Sequence, residues 1–266
     1  MGLSREQMLV EMGISPIWVT RDTVPPADER TASPLPAEPE PPAARGGAST
    51  PSIVPVVPTV AEAVPARADD KAKVEVGNLD WPALARQVAE CRACALCEQR
   101  KQAVLGVGDT NPDWLFIGEG PGSEEDAKGE PFVGQAGKLL DNMLAALDIA
   151  RGNRVYIANA VKCRPPGNRT PEAAEIAACW PYLERQIALL KPKVIVLLGK
   201  AAVHAVLRDD KPLGGMRGKP YEFAGIPVVV TYHPAYLLRN PAQKRQVWED
   251  VQQIMRLLDA GTGKGG

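Results

Sequence analysis

The sequence has no run of 18 apolar residues, which excludes a helix long and apolar enough to span a bilayer. It opens on MGLSREQMLVEM, charged from the start and without an apolar core. No secretory leader is therefore expected, and the chain is expected in a bacterial-type cytosol. An excess of one charge sign is also missing, since the net charge is −1. That balance hides an asymmetry. Residues 1–80 carry 7 Lys/Arg and 12 Asp/Glu, a net of −5, whereas residues 81–266 carry 24 and 20, a net of +4. A mildly basic folded part permits a polyanionic partner. Cysteine is sparse, at 5, and in a reducing compartment such cysteines are metal ligands or free thiols rather than disulfides. Histidine (2) and phenylalanine (3) are rarer still. No P-loop Lys-Ser/Thr pair is present, which weakens the case for an α/β nucleotide-binding enzyme.

What is present divides the chain into three parts. Residues 1–23 form a short amphipathic segment, with Leu3, Met8, Leu9 and Met12 followed by Ile14, Ile17, Trp18 and Val19. It is too small to fold alone, and reads either as a fraying tail or as a docking peptide for a protein partner. Residues 24–79 read as a linker: 11 prolines fall between positions 21 and 70, among Ala, Glu, Ser and Thr. Such a stretch buries too little apolar surface to offset its chain entropy. Residues 80–262 form the folded domain.

That domain is organised around GEGPGSEEDAKGEPFVGQAGKLL, residues 118–140. A short apolar strand, 114–117, runs into two glycine-rich turns and then a helix over about 136–148. Further strands are expected at 155–158, 194–198 and 228–231. Helices are expected from Trp81, from Thr170-Pro171, over 200–207 and over 242–259. Alternating strands and helices predict a three-layer α/β/α domain with a mainly parallel sheet. The polar residues of interest fall just after strands, where such folds bind ligands.

Cys91, Cys94 and Cys97 lie within seven residues, and Cys163 and Cys179 lie far downstream. Clustered thiolates with two distant ones close a four-cysteine site for zinc or an iron–sulfur cluster. Five cysteines for four positions leave one over, and spacing does not name it.

Three segments, GEGPGSEED with GEPFVGQAG, then NAVKCRPPGNR, then YHPAYLLRNP, resemble the family 4 (iron–sulfur) uracil-DNA glycosylases over about residues 85–258. The resemblance implies a [4Fe–4S] cluster on Cys91, Cys94, Cys163 and Cys179, with Cys97 to spare. It implies a monofunctional glycosylase that acts as a monomer on single- and double-stranded DNA. The enzyme would flip uracil out of the stack, hydrolyse its glycosidic bond and leave an abasic site. Phe132 would stack on uracil, and Asn159 would read its edge, an amide matching N3–H and O4. His233 would bond O2 as charge develops on the leaving base. Gly118, Glu119 and Gly120 would line the base, with Glu119 (or Glu125) acting on the attacking water. Leu237 would wedge into the duplex; the alternative is an ordinary core leucine, for which Leu238 is an equal candidate. Lys162, Arg164, Arg169, Arg217, Lys219 and Arg239 would contact phosphates. His204 reads as structural. Two alternatives stand beside this. One is a superfamily member that stays covalently attached to abasic DNA, disfavoured because CRPPGNRTPE has no histidine. The other is a non-catalytic iron–sulfur DNA-binding accessory of replication.

Overall fold

The computed structural model describes residues 76–262, with side chains to residue 253. The 1–23 segment and nearly all of the proposed linker lie outside the described residues. Packing among the described residues begins before position 80. Val76 is buried, and the Leu79 carbonyl accepts a hydrogen bond from Arg185 Nε at 2.6 Å.

A six-stranded sheet forms the middle layer: β1 (Val107–Gly108), β2 (Trp114–Gly118), β3 (Val155–Asn159), β4 (Val194–Leu198), β5 (Tyr221–Phe223) and β6 (Ile226–Thr231). Their order is β1-β3-β2-β4-β6-β5. The inner pairs β3/β2, β2/β4 and β4/β6 are parallel, and β1 and β5 are antiparallel edges. β2, β3 and β4 are buried along their whole length, and the inner strands are mostly apolar up to the Asn159 and Thr231 that end β3 and β6, because both of their faces are covered. The two edge strands were not legible in the sequence. At two and three residues they carry no periodicity.

Seven helices are described: α1 (Trp81–Glu90), α2 (Ser123–Lys128), α3 (Gln135–Ala145), α4 (Ala173–Leu190), α5 (Lys200–Leu207), α6 (Pro234–Arg239) and α7 (Lys244–Thr262). Successive strand residues point to opposite faces, and this sorts the core in two. Leu115, Ile117, Ile195 and Leu197 pack with Leu84 of α1, Leu183 of α4 and Val203 of α5. Trp114, Phe116, Val196 and Leu198 pack with Leu140 of α3, Leu237 of α6 and Val247 of α7. Each fully buried Leu or Phe side chain contributes about 1.5–3 kcal/mol. The three-layer expectation therefore holds, with shifted boundaries. α4 starts at Ala173 rather than at Thr170-Pro171: Glu172 is the cap, its amide held by Glu175 at 2.7 Å.

The YHPAYLLRN segment is a helix, α6, and not a loop. It reverses the leucine assignment. Leu237 is 1 % exposed and belongs to the core, whereas Leu238 is 45 % exposed. One residue along a helix turns a side chain by about 100°, and in this short helix that turn carries Leu238 out of the core that Leu237 enters.

Candidate active site

The sheet register brings the site together. Gly118 pairs with Asn159 at the ends of β2 and β3, and Leu198 pairs with Thr231 at the ends of β4 and β6. The pairing continues past the strands. Ala160 N–H donates to the Gly118 carbonyl (2.9 Å), and Gly199 N–H donates to the Thr231 carbonyl (3.0 Å). Glu119, Asn159, Gly199 and His233 are thereby delivered to one edge of the sheet. There they line a cavity of about 650 Å³ with Phe132, Pro121, Thr170 and Arg239. The chain reverses direction across the sheet beside β2, the place where α/β sheets open a crevice.

Phe132 reaches this cavity from a loop in an unusual conformation, with φ of 56°. An aromatic residue there costs roughly 1–3 kcal/mol and persists only when its surroundings hold it. Arg151 does so, donating to the Pro131 carbonyl at 2.7 Å and the Phe132 carbonyl at 2.8 Å. Glu125 holds the same loop from the other side. Its carboxylate accepts from the amides of Gly122 (3.0 Å), Val133 (3.0 Å) and Gly134 (3.1 Å). Glu125 thus ties the two glycine turns together. Two glycines are demanded by close approach. A Cβ on Gly118 would collide with Phe132 and Asn159, and one on Gly137 would collide with the Phe132 carbonyl.

The Phe132 and His233 rings stand 5.3 Å apart at 27°. Ala235 N–H donates to His233 Nδ1 at 3.1 Å, so that nitrogen carries no proton. Burial, with the Arg239 charge, pulls His233 down to about 4 against a weak opposing effect of Glu125. At neutral pH the ring is therefore neutral and its proton lies on Nε2. Asn159 is 2 % exposed, and its side-chain oxygen has no hydrogen-bond partner within the protein. A buried acceptor left open at a cavity wall is a costly arrangement that a ligand donor relieves. Burial pushes Glu119 above the usual carboxylate range, opposed by a Thr170 hydrogen bond and the Arg239 charge. Gly120 lines the cavity without a side chain and packs near Val161.

The basic residues divide. Arg239 and Arg169 line the cavity, and Arg169 also pairs with Glu175 at 2.6 Å. Arg164 holds Asn168 Oδ1 at 2.7 Å beside the mouth, and Lys219 is exposed in the turn before β5. Arg217 and Lys162 do not fit a phosphate-contact role. Arg217 pairs with buried Asp250 (2.8 Å), bonds Gln246 and lies over the Tyr232 ring. Lys162 is 2 % exposed, with its Nζ on the Asn159 carbonyl at 2.9 Å. Lys200, Tyr232 and Tyr236 also line the cavity, and the sequence reading missed them. Their position after strand ends was the available signal. His204 lies in α5 and pairs with Asp210 at 2.7 Å, away from the cavity.

Beneath this edge all five cysteines line one small second cavity with Arg100, Lys162 and Tyr182. Cys163 Sγ accepts from Arg100 at 2.8 Å, Cys179 Sγ from the Lys162 amide at 3.3 Å, and Cys91 Sγ from the Ala93 amide at 3.5 Å. Burial pushes the Cys179 thiol up to about 12, opposed by Lys162. It also raises Cys163, opposed by Arg100. Among the described residues no three Cys, His, Asp or Glu side chains are arranged to hold a single metal ion. A multi-atom cluster makes a different demand, because its ligands stand apart around it. The donor set fits such a cluster: thiols from three segments, N–H donors to sulfur, and two buried or half-buried cations to balance thiolate charge.

A family model for the uracil DNA glycosylase superfamily matches residues 105–252. The chain is 43 % identical over 181 residues to a type-4 uracil-DNA glycosylase of Pyrobaculum aerophilum, covering 65 % of this chain and 92 % of that protein. It is 44 % identical over 179 residues to a type-4 uracil-DNA glycosylase of Thermotoga maritima, covering 66 % and 93 %. The chain belongs to the type-4 uracil-DNA glycosylases. A type-5 uracil-DNA glycosylase of Pyrobaculum aerophilum is more distant, at 30 % over 177 residues, covering 59 % of this chain and 75 % of that protein. The matched segment of this glycosylase holds the sheet edge, both glycine turns, Cys163, Cys179 and α6. Cys91, Cys94 and Cys97 precede residue 105, where the family model begins.

Proposed function

We propose that the chain excises uracil from DNA by hydrolysing the N-glycosidic bond, the first step of base-excision repair. The observation that carries this reading is the open, buried Asn159 oxygen beside Phe132 and the neutral His233. Uracil offers an N3–H donor to that oxygen and an O4 acceptor to the amide nitrogen. Cytosine reverses both groups and leaves two buried polar groups unpaired, which rejects it. Phe132 supplies the flat wall on which the flipped base stacks. As the bond from C1′ to the base breaks, its electron pair moves onto uracil, and His233 Nε2–H stabilises the developing charge on O2. A fixed donor of this kind contributes about 2.7–4 kcal/mol in comparable sites. Water then bonds to C1′ and gives up one proton to solvent, and the uracil anion takes one up, so that the products are neutral. In this reading Glu119, which lines the cavity, orients the water; in support, Gly120 has no side chain and Glu125 is bonded to the loop. No Schiff-base lysine is invoked, so the product is an abasic site and free uracil.

Cys91, Cys94, Cys163 and Cys179 hold a [4Fe–4S] cluster in this reading. When bound, the cluster cross-links α4, the β3 end and the segment after α1, with no redox step in the reaction. Cys97 lines the same cavity, so the choice of four rests on the family resemblance. The enzyme acts as a monomer in the cytosol on single- and double-stranded DNA. Leu238, rather than Leu237, fills the gap left by the flipped base. Arg239, Arg169 and Arg164 meet phosphates, with Lys219 further out.

The test is uracil release from a labelled oligonucleotide, run beside a visible absorption spectrum and an iron assay. Iron-replete protein that releases no uracil would overturn the reading. A denaturing gel of the same reaction should show no protein–DNA adduct.

A further inference from the structure

Lys162 is the only buried lysine among the described residues. An ammonium stays in an interior only where acceptors and opposite charge meet it. The acceptor meets the ammonium directly, and the cysteine cavity that the residue lines supplies the sulfur side. Its Nζ donates to the Asn159 carbonyl at 2.9 Å. Its own amide donates to Cys179 Sγ at 3.3 Å, and Cys163 is the next residue. The lysine therefore bridges the cysteine site and the base reader within four residues of chain.

The bridge acts on a particular peptide plane. Asn159 ends β3, and the Asn159–Ala160 peptide unit is held at both ends. Ala160 N–H is held by the Gly118 carbonyl (2.9 Å), and the Asn159 carbonyl by Lys162. With that plane fixed, the Cα–Cβ bond of Asn159 keeps its direction, and its unpartnered side-chain oxygen, packed against Gly118, starts from a fixed base. Nothing else described here bonds the Asn159 side chain, so its aim depends on the backbone beneath it.

We propose that Lys162 is a positioning residue of the uracil site. Its ammonium, kept in the interior by the thiolates of the iron–sulfur site, fixes the Asn159 carbonyl and so aims the amide that reads uracil. The inference rests on the glycosylase reading above and adds a route from cluster to specificity. Loss of the cluster leaves Lys162 a buried cation without its counter-charges, and the reader loses its support.

Three variants test it in the full-length, iron-loaded protein: Lys162→Met, Lys162→Gln and Asn159→Ala. Lys162→Met should lower kcat for uracil release by about tenfold or more with KM for DNA changed less than about twofold, the pattern of a lost orienting contact. It should also narrow the preference for uracil over cytosine. In the Asn159→Ala background the same substitution should cost nothing further in kcat, because the residue it acts through is gone. Lys162→Gln retains a donor without the charge. It should keep more of the wild-type kcat yet lose iron to a chelator several-fold faster than wild type. Wild-type kcat in Lys162→Met, or a full additive loss in the double variant, overturns the proposal. If Lys162→Met does not fold, an unchanged rate of iron loss in Lys162→Gln overturns it. Failure of the glycosylase reading would be visible separately, as wild-type protein that releases no uracil.

Discussion

At the scale of single residues, the site is defined by what its polar groups already hold. His233 is held neutral by burial and by Ala235 N–H on Nδ1. Its folded value, about 4, lies below the ordinary 6.5, so between those values the unfolded chain binds more protons. Stability contributed by neutral His233 is therefore present above about pH 6.5 and is lost as pH falls toward 4. Thermal melts over that range should show this slope in wild type and a shallower one in His233→Ala. The same substitution should slow uracil release by about 10²–10³-fold with binding to abasic DNA retained, measured by single-turnover kinetics and a binding titration. Arg217 and Arg239 look alike in sequence and differ in role. Arg217→Ala leaves Asp250 buried with the Thr231 hydroxyl but no counter-charge, so it should lower stability by about 3–5 kcal/mol in denaturant melts. Arg239→Ala should leave stability nearly unchanged and reduce the salt dependence of DNA binding by about one charge.

At the scale of elements, short segments carry the function. α6 exposes Leu238 while Leu237 anchors it to the core. Leu238→Ala should slow excision from duplex DNA several-fold more than from single strands, because only the duplex closes on a vacated stack. Rates on the two substrates, measured side by side, check this; equal losses would return the wedge role to another residue. The loop around Phe132 is the second such element. It is clamped by Arg151 and Glu125 and backed by the bare Gly137. Gly137→Ala should displace the Phe132 carbonyl, lowering both stability and uracil release, whereas the same change at Gly152 meets no neighbour within 4 Å and strains only its own turn.

At the scale of the whole molecule, two cavities share one framework. The cysteine cavity and the base cavity are joined by Lys162, and also by Asp126. That buried carboxylate of α2 accepts from the Lys101 amide at 2.9 Å, one residue beyond Arg100 on Cys163. Removing iron should therefore impair uracil release together with stability. Cys179→Ser should lose the visible absorption and lower Tm, while Cys97→Ser should keep its iron; the reverse result would reassign the ligands. Every residue of the base site lies after position 118, so a fragment beginning near residue 70, which keeps Val76 and α1, should release uracil at close to the full-length rate in the same oligonucleotide assay.

The inner strands were legible because continuous apolar runs between glycine turns have few other uses. Residues 118–140, Asn159 and His233 were legible because they fall directly after those strands and within long ordered motifs. The sequence by itself thus determined the parallel sheet, the family and the three residues, Phe132, Asn159 and His233, that the fold brings to one cavity. It could not distinguish Leu237 from Leu238, since helix phase is set by packing, here chiefly against α3. Nor could it separate Arg217, Lys162 and Glu125 from solvated charges, since their partners, Asp250, the Asn159 carbonyl and the Val133 amide, are brought to them by folding. A charge's role depends on which groups reach it, and only the tertiary structure decides that.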